Sequence, residues 1–278
     1  MKNIMFCIGL PRSGSTLLMN ILNSNPSIYT TGTCPLPYVF DGMKQATGQV
    51  SEFVAMDMDT LDQSMSSFLR CGIEGWFQAQ TPKPNVISKS RTWDQQLRYL
   101  FRVYENPKFI VVLRDPRDVI CSFEKLLAKY PHIFMGSREH PFEWNDFSKR
   151  IEYYCTDAGA NLGRPLMMMP HVHEYMQRYP NNFFALKWEH LCRDPHRMLD
   201  SLYQWMELPA YRHDLNNIPP SDYVEHDAVY RSIVSHKTRT KFEPQGPQWP
   251  KYMTEGQSAT ILHNLNWFYS HFYPEMLR

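Results

Sequence analysis

The sequence predicts an α/β fold, in which a parallel β-sheet carries helices on both of its faces. Short apolar runs of strand length, at residues 4–9, 85–89, 109–113 and 183–187, alternate with segments whose apolar residues recur at helical spacing. Such alternation is typical of a sheet that is covered on both sides. Because the sequence shows no internal repeat, low-complexity tract or linker, we interpret residues 1–278 as a single domain with loop and helical insertions.

The first unit is a strand, a turn and a helix. Residues 4–9 are apolar, a Gly/Pro/Ser turn follows, and residues 16–23 carry leucine and isoleucine at helical spacing before Asn25-Pro26 ends the helix. A long helical segment is then predicted over residues 50–80, where Met, Phe and Leu are mixed with acidic residues.

The rest of the chain repeats the pattern. The run at 109–113 is the most clearly buried strand, and Asp115-Pro116 supplies an N-cap and a first-turn proline for a helix to about residue 128. Residues 208–251 are rich in Pro, His, Asp and Tyr with weak periodicity, so we expect long loops there. The other helices that we expect lie at 95–104, 142–160, 166–178, 195–206 and 255–272.

Composition excludes several classes of function. Lys and Arg number 29 against 28 Asp and Glu, so a net charge of +1 gives no field for binding a long nucleic acid. The longest aliphatic and aromatic run has the five residues 109–113, whereas a bilayer span needs about 20, so we expect no membrane span. The six cysteines have no paired spacing, which predicts core packing, no metal site and a reducing, cytoplasmic compartment.

Residues 9–16, Gly-Leu-Pro-Arg-Ser-Gly-Ser-Thr, have the spacing of a phosphate-binding loop, with two glycines five positions apart and a final hydroxyl residue. They lie between a predicted strand and a predicted helix, where backbone N–H groups and the helix dipole bind anions. The sequence therefore predicts a P-loop NTPase-like sheet with a phosphate site at this loop. The residues expected to line the site are Pro11, Arg12, Ser13, Gly14, Ser15 and Thr16.

Two arginines distinguish this loop from that of an ATP-hydrolysing enzyme. Ser15 stands where such an enzyme has its lysine, and the positive charge lies within the loop at Arg12. At the end of the strand at 109–113, the place of a magnesium-binding acid is taken by Arg114. These substitutions favour a second anion over a metal ion.

A second anion pocket is predicted next to the loop. Ser122 follows Arg114 by eight residues, and the helical repeat of about 100° per residue turns its side chain back toward the strand end. A nucleotide with phosphate at two separate positions would satisfy both pockets. The alternative interpretation is that Arg114 and Arg117 only form surface ion pairs with Asp115 and Asp118.

Residues 10–18, Leu-Pro-Arg-Ser-Gly-Ser-Thr-Leu-Leu, and residues 112–122, Val-Leu-Arg-Asp-Pro-Arg-Asp-Val-Ile-Cys-Ser, together resemble the sulfotransferases that use 3'-phosphoadenosine 5'-phosphosulfate (PAPS). The resemblance implies that the loop binds the 5'-phosphosulfate and that Arg114 and Ser122 bind the 3'-phosphate. Arg12 matches the arginine that tyrosylprotein-type and many bacterial members of that family carry in the loop.

Weaker matches extend the resemblance. Lys89 ends a strand near the place where the family often has a lysine beside the sulfuryl group. A Lys-Trp-Glu-His-Leu segment resembles the family's Tyr-Glu-Asp-Leu, with Trp188 in place of tyrosine, so this ring is expected either to stack on adenine or to pack in the core. A Ser-His-Lys-Thr-Arg stretch with Lys237 and Arg239 is similar to a basic segment that closes over the nucleotide in bacterial members.

The general base is not evident. The positions of the family's glutamate and histidine bases correspond here to Thr33 and Arg91, neither of which suits the role. Three interpretations stay open: a base from another segment, an acidic acceptor such as a phenol, or a chain that binds the nucleotide without turnover. The remaining candidates for the base are Asp41, Glu52, His132 and His140.

The prediction from the sequence is therefore an enzyme, a PAPS-dependent sulfotransferase with Arg12 and Lys89 as catalytic residues, PAP as the nucleotide product and no metal. The expected acceptor is a small molecule, sugar or lipid with a hydroxyl or amine. The alternatives are a small P-loop kinase that uses ATP and a catalytically silent nucleotide-binding module.

Overall fold

Five parallel β-strands form the centre of a computed structural model that describes residues 2–129, 146–220 and 239–277. The strands lie in the order β2-β3-β1-β4-β5, and each pairing between neighbours is parallel. Their bounds are β1 Asn3–Gly9, β2 Ile28–Thr30, β3 Asn85–Lys89, β4 Lys108–Leu113 and β5 Phe183–Lys187. The predicted α/β class and all four predicted strands are confirmed. That residues 1–278 form a single domain stays a prediction.

Helices follow most of the strands. They are α1 Ser15–Asn23, α2 Leu36–Gln49, α3 Ser51–Val54, α4 Met58–Gln80, α5 Leu97–Val103, α6 Pro116–Lys129, α7 Phe147–Thr156, α8 Gly163–Arg178, α9 Trp188–Arg193, α10 Pro195–Met206, α11 Glu255–Asn264 and α12 Asn266–Phe272. Short 3₁₀ helices lie at Arg91–Gln96, Pro180–Asn182, Trp249–Lys251 and Pro274–Met276. Within the described ranges, none of the helices combines the length and apolarity that crossing a membrane would require.

The sheet separates two apolar layers, because successive residues of a strand point to opposite faces. In β1, Ile4, Phe6 and Ile8 belong to one layer, and Met5 and Cys7 belong to the other. Helices α2, α4 to α8, α11 and α12 pack into the first layer, and α1, α9 and α10 pack into the second. The prediction of helices on both faces is therefore confirmed.

A crevice forms where the chain leaves the neighbouring strands β1 and β4. Helix α1, which follows β1, packs on one face of the sheet, whereas α6, which follows β4, packs on the other. Open parallel sheets bind ligands at the carboxyl ends of two strands whose connections diverge in this way. Both segments predicted to bind anions therefore meet at one edge of the sheet.

Strand β2 and helix α2 are among the elements that the sequence does not predict. β2 has only three residues and pairs with β3 alone, so its apolar run is too short to be recognised. α2 begins after Pro35, contains Gly42 and Gly48, and buries only its first turns, so its periodicity and helix propensity are both weak.

Two predicted helices are each divided. The helix predicted over 50–80 is α3 and α4, because the Asp57 side chain accepts the Thr60 N–H at 2.9 Å and starts a new helix. The helix predicted over 255–272 ends at Leu265, whose φ of −110° and ψ of 25° are not helical, and continues as α12. Within 208–251, the described residues form loops as expected, apart from the 3₁₀ turn.

Three further boundaries differ from the predictions. Residues 91–96, before α5, form a 3₁₀ helix. Of the helix predicted over 142–160, residues 147–156 form α7, and residues 142–145 lie outside the described residues. The short helix α9 directly after β5 is an addition to the predictions.

Gly9→Ala should destabilise the fold, because Gly9 has a φ of 135° and an added Cβ would overlap the backbone oxygen of Val112. We expect a loss of roughly 2 to 4 kcal/mol in the free energy of unfolding, measured by chemical denaturation. Gly75→Ala, within α4, is the matched control, because no described atom lies within 4 Å of its added Cβ apart from its chain neighbours and the adjacent backbone of its own helix. The control should gain about 0.5 to 1 kcal/mol. Equal effects of the two substitutions would contradict the close packing of Gly9.

Candidate functional site

The loop between β1 and α1 is held against β4 and α9. Leu10 donates its N–H to the Val112 carbonyl at 3.2 Å. Arg12 and Gly14 have φ angles of 57° and 88°, so the chain curls tightly between them. A Cβ on Gly14 would overlap the ring of Trp188, which means that glycine allows the loop to lie this close to α9.

The start of α1 is suited to an anion. Gly14 is its N-cap residue and has no side chain that could accept a hydrogen bond from the first N–H groups of the helix. Ser13 is fully buried, and its Oγ has no hydrogen-bond partner among the described residues. An unsatisfied buried hydroxyl costs about 1 to 3 kcal/mol, so both features fit a bound phosphate group.

Arg12, Arg114 and Ser122 come together at the crevice. Arg12 Nε donates to Ser122 Oγ at 3.1 Å, and Arg114 Nη1 donates to the backbone carbonyl of Arg12 at 3.1 Å. Arg114 is largely buried, and no partner for its Nε lies within residues 2–129, 146–220 and 239–277. The two segments that the sequence analysis pairs are therefore in direct contact, with hydrogen-bonding capacity still unused.

The electrostatics of this cluster favour a polyanion. Burial lowers the pKa of the Arg12 guanidinium, and the positive charges of Arg114 and Arg239 lower it further. Like charges that converge in a partly buried site repel one another, and an anion between them removes that repulsion. Arg239 is itself exposed, so it contributes to the field from the surface.

Asp118 is a residue whose importance the sequence analysis missed. Its Oδ2 pairs with Arg114 Nη2 at 3.3 Å, and its Oδ1 accepts the backbone N–H groups of Gln248 and Trp249 at 2.8 and 2.9 Å. Asp118 thus fixes Arg114 and also attaches the C-terminal segment to the site. Asp118 follows Arg114 at i, i+4 spacing, which indicates that the two side chains can pair. This spacing alone predicts only an ion pair on the surface.

Arg117 has a structural role. Its Nη2 donates to Asp115 Oδ2 at 2.7 Å, its Nε donates to both carboxylate oxygens, and the Tyr269 hydroxyl donates to Oδ1 at 2.6 Å. The pairing of Arg117 with Asp115 therefore occurs, but in the interior and not on the surface. Arg114 also pairs with an acid and still keeps its contact with the loop.

Lys89 lies at the same edge of the sheet. Its Nζ donates to Thr16 Oγ1 and to the Gly32 carbonyl, each at 2.8 Å. The end of β3 is thus joined to the first turn of α1, beside the position where the loop would hold a phosphate. A lysine in this place adds a positive charge next to an anion bound by the loop.

The remaining predicted nucleotide-binding residues differ in placement. Trp188 is 5% exposed and packs against Gly14 and, at 5.8 Å between ring centroids, against Phe242. Its stacking on adenine stays a prediction. Lys237 lies outside the described residues.

Two of the four candidate bases can be located. Asp41 accepts from Gln96 Nε2 at 2.8 Å and lies 3.5 Å from Lys44 Nζ. Glu52 is exposed, and its own backbone N–H and the Ser51 hydroxyl lower the pKa of its carboxyl, which makes it a weaker base. Both His132 and His140 lie outside the described residues. Within the described ranges, no group of three His, Cys, Asp or Glu side chains is arranged to hold a metal ion.

Comparison with known proteins places this geometry in a family. The model of the sulfotransferase family matches residues 5–213, which include the loop and the ends of β1, β3 and β4. The chain belongs to the sulfotransferase family. The resemblance inferred from the two motifs is therefore confirmed.

Relatives in the sulfotransferase family are distant. Protein-tyrosine sulfotransferase 1 of Mus musculus is 30% identical over 126 residues, which cover 43% of this chain and 33% of that protein. The matched stretch spans between 26% and 56% of the length of the first curated relatives. The alignment therefore relates this chain to part of each of those proteins.

Solved sulfotransferase structures share the fold over nearly the whole chain. The alignment with the sulfotransferase domain of the Synechococcus PCC 7002 olefin synthase has a TM-score of 0.58 and 15% identity. It covers 96% of this chain and 96% of that domain. A mouse sulfotransferase complexed with PAP has a TM-score of 0.56 at 12% identity, with 98% of this chain and 85% of that chain covered. This likeness confirms the predicted P-loop NTPase-like fold.

A buried carboxylate in the 3₁₀ helix after β3 was also missed. Asp94 lies five residues beyond Lys89, is 6% exposed, and has no partner for Oδ1 among the described residues. Burial raises the pKa of this carboxyl to about 7, although the Gln95 N–H and the charges of Arg164 and Arg91 lower it. Its polar neighbours in the sequence give no sign of burial, so no pattern could have identified it.

The contribution of Asp94 to stability should fall as pH rises from about 4 to about 7, because folded Asp94 retains a proton that the unfolded chain, with a carboxyl pKa near 3.8, has lost. Above pH 7 both states are ionised and the contribution is constant. At about 1.4 kcal/mol per pKa unit, the full effect is at most about 4 kcal/mol.

Asp94→Asn should remove this contribution. Its stability relative to that of the parent should therefore increase between pH 4 and 7 and exceed that of the parent at pH 8, measured by denaturant unfolding across the pH range. Asp200→Asn, at an exposed position on α10, is the control and should leave the pH dependence unchanged. The same pH dependence of stability from pH 4 to 7 in Asp94→Asn and in the parent would refute this assignment.

Proposed function

We propose that this chain is an enzyme that transfers a sulfuryl group from PAPS to a hydroxyl or amine acceptor and releases PAP. The observation that carries the proposal is the contact of Arg12 with Ser122 and of Arg114 with the Arg12 carbonyl. These contacts bring the loop at residues 9–16 next to Arg114 and Ser122, so two groups that would bind anions lie side by side. A nucleotide phosphorylated at both the 3' and 5' positions has two anionic groups to occupy them. The mouse relative that shares the fold was solved with PAP.

The described residues suggest a division of roles in nucleotide binding. The N–H groups at the start of α1 and the Ser13 hydroxyl would bind the 5'-phosphosulfate. Arg114 and Ser122 would bind the 3'-phosphate. Because Asp118 already holds Arg114 in position, little side-chain entropy would be lost on binding.

In the transfer step, the acceptor oxygen or nitrogen forms a bond to sulfur while the bond from sulfur to the 5'-phosphate oxygen breaks. Negative charge accumulates on that departing phosphate, where Arg12 and Lys89 would stabilise it. The acceptor proton passes to a base, and PAP leaves with the electron pair of the broken bond. Positioning and charge stabilisation supply most of the catalysis, as in phosphoryl transfer.

The basic residue at the end of β4 supports PAPS over ATP as the donor. An enzyme that binds a magnesium nucleotide needs an acid at such a strand end, whereas Arg114 occupies it here. A sulfuryl group carries one charge less than a phosphoryl group, so arginine and lysine side chains suffice to balance it.

We also propose a cytoplasmic location, supported by the cysteines. Cys7, Cys34, Cys121 and Cys155 are buried as free thiols. A reducing compartment keeps such thiols in this state.

Calorimetry with PAP in the presence of a chelator tests the donor. We expect one PAP per chain, bound with an affinity that magnesium leaves unchanged. Magnesium-dependent binding of ATP in place of PAP would instead support a kinase. Binding of PAP without any transfer from isotope-labelled PAPS to a broad acceptor panel would indicate a silent nucleotide-binding module.

Arg12→Ala should lower kcat by about 100-fold or more, because a preorganised donor to the leaving phosphate is lost. Its melting temperature should stay close to that of the parent, since its backbone role in the loop is retained. Arg178→Ala, at an exposed position on α8, is the matched control and should keep full activity. An Arg12→Ala enzyme with undiminished turnover would remove Arg12 from the reaction.

Arg114→Ala should weaken PAP binding much more than binding of adenosine 5'-monophosphate, because only PAP carries the 3'-phosphate. A charged hydrogen bond is worth roughly 1.5 to 3 kcal/mol, so the ratio of the two dissociation constants should change by about 10- to 100-fold. Calorimetry with both nucleotides measures this ratio. Equal weakening of the two would argue against a 3'-phosphate pocket at Arg114.

A further inference from the structure

Two arginines near the carboxyl edge of the sheet, where the strands end, have no acidic partner among the described residues. Arg91 and Arg164 are both exposed, and the Arg164 guanidinium donates to a neutral group, Gln95 Oε1, at 3.0 Å. By contrast, the arginines within α6 and α7 each form an ion pair. Positive charges that are left unbalanced at a ligand-binding edge attract anions.

The side chain of Arg91 leaves the chain on the same side as that of Lys89. Ser90, which separates them, has a φ of −155° and a ψ of 137°, so the backbone is extended and the side chains of residues 89 and 91 point the same way. Their Cα atoms are at most about 7.6 Å apart. Lys89 Nζ contacts Thr16 in the first turn of α1. Arg91 therefore lies beside the proposed transfer site.

Helix α8 brings Arg164 to the same edge of the sheet. The helix ends at Arg178, shortly before β5 begins at Phe183, so it runs antiparallel to β5 and starts toward the carboxyl ends of the strands. Arg164 is in its first turn, where the helix dipole adds to the positive potential. The bond from Arg164 to Gln95 joins this turn to the 3₁₀ helix at residues 91–96.

The buried carboxyl of Asp94 lies near both arginines. In a 3₁₀ helix the side chains at i and i+3 are eclipsed, so Asp94 is on the same side of the turn as Arg91. The charges of Arg91 and Arg164 both lower the pKa of Asp94, but burial outweighs them and raises it to about 7. Asp94 is therefore partly protonated at neutral pH and does not balance the two arginines. Its Oδ1 has no partner in the described part of the chain.

The other elements that pack against this turn are β1, α2 and α5, and they add little negative charge. In β1, burial raises the pKa of the Cys7 thiol, which is therefore neutral. On α2, Asp41 and Lys44 both bond to Gln96 and lie 3.5 Å apart, so they balance each other. Of the two arginines on α5, Arg98 is exposed and the other is paired with an acid.

The segment around the start of α8 is the last neighbour of the turn. The exposed Asp157, in the preceding loop, accepts the Gly159 N–H at 2.6 Å. The titratable residues of α8 that follow Arg164 begin two turns further along the helix, at His171. Among the described residues, the charges that shift the pKa of Asp94 are those of the two arginines. This corner of the site is therefore positive and suits an anion.

We propose that Arg91 and Arg164 bind an anionic group of the acceptor, so that the acceptor is a phenol or alcohol that also carries a group such as a carboxylate. This inference rests on the proposed function and names its substrate class. The acceptor hydroxyl would lie at Lys89, and a short spacer would separate it from the carboxylate. A protonated Asp94 carboxyl can donate a hydrogen bond to that group, whereas the ionised form repels it.

3-(4-Hydroxyphenyl)propanoate and 3-(4-hydroxyphenyl)propanamide test the charge of the acceptor, because they share one phenol and differ by one charge. In transfer assays with saturating PAPS at about pH 6.5, the KM of the propanoate should be roughly 10-fold or more below that of the amide. Equal KM values, or a lower KM for the amide, would overturn the proposal.

Arg91→Ala and Arg164→Ala should each raise the ratio of the propanoate KM to the amide KM by about 5-fold or more, because each removes a charged hydrogen-bond donor. Arg98→Ala, at an exposed arginine of α5, is the matched control and should keep the ratio of the parent. Unaltered ratios in both Arg91→Ala and Arg164→Ala would show that the anionic group of the acceptor lies elsewhere.

The same ratio should rise between about pH 6 and about pH 8 in the parent, because Asp94 becomes ionised and its charge opposes the carboxylate. The propanoate carboxylate stays ionised over this range, and the phenol is common to both compounds. Asp94→Asn should make the ratio independent of pH, which a purely structural role of Asp94 would not do. An identical pH dependence in Asp94→Asn and in the parent would place the carboxylate away from this cluster and overturn the proposal.

Calorimetry with 3-(4-hydroxyphenyl)propanoate in the presence of PAP, without PAPS, separates this inference from the proposed function. Propanoate binding that is weakened in Arg91→Ala and in Arg164→Ala supports the anion site even if no sulfate is transferred, in which case the proposed enzymatic function fails. Binding of PAP together with transfer to uncharged acceptors, but no binding of the propanoate, overturns the anion site and leaves the proposed function intact.

Discussion

The close approach of two guanidinium groups to one curled loop is the constraint on which the site depends. Arg114 donates to the carbonyl of Arg12, so the two positive charges are held together by the backbone of the loop itself. Asp118 balances the charge of Arg114, and no acid among the described residues pairs with Arg12. The folded chain holds the guanidinium groups of Arg12 and Arg114 close together before any ligand binds. A polyanion that binds there therefore contacts donors that are already oriented. The conformation of the loop therefore also sets the positions of the charges in the site.

The frame that holds these arginines extends beyond the part of the chain that the family model matches. Asp118 accepts the N–H groups of Gln248 and Trp249, and Asp115 accepts the Tyr269 hydroxyl. Both acceptors lie within residues 5–213, and all three donors lie beyond that stretch. An unpaired buried carboxylate would be costly, so these contacts bind the C-terminal helices to the end of β4. The C-terminal segment therefore contributes to the position of Arg114 through Asp118.

The sequence alone predicts those parts whose signal is local. Strands β1 and β4 are continuous apolar runs because they are buried on both faces, and the loop is recognised from its glycine spacing and its hydroxyl residues. Asp94 and Asp118 could not be assigned in this way, because their roles depend on burial and on partners that are distant in the chain. The contact of Lys89 with Thr16 likewise joins two strand ends that only the order of strands in the sheet brings together. The sequence does not predict β2 and α2 for a different reason. β2 is short and α2 contains glycines, so neither has an apolar pattern strong enough to be recognised.

The anion-binding loop and helix α4 differ in how firmly they are built. The loop rests on β1, β3 and β4, whose residues are almost entirely buried, and its polar groups bond to backbone and to buried acids. Helix α4 buries Leu69, Ile73 and Phe77, whereas residues 58–68 are exposed or half-buried. A segment with few buried contacts opens at lower free-energy cost than one packed into the core. Local opening of the first half of α4 therefore leaves the arginines of the loop in place, because these are fixed by the sheet and by Asp118.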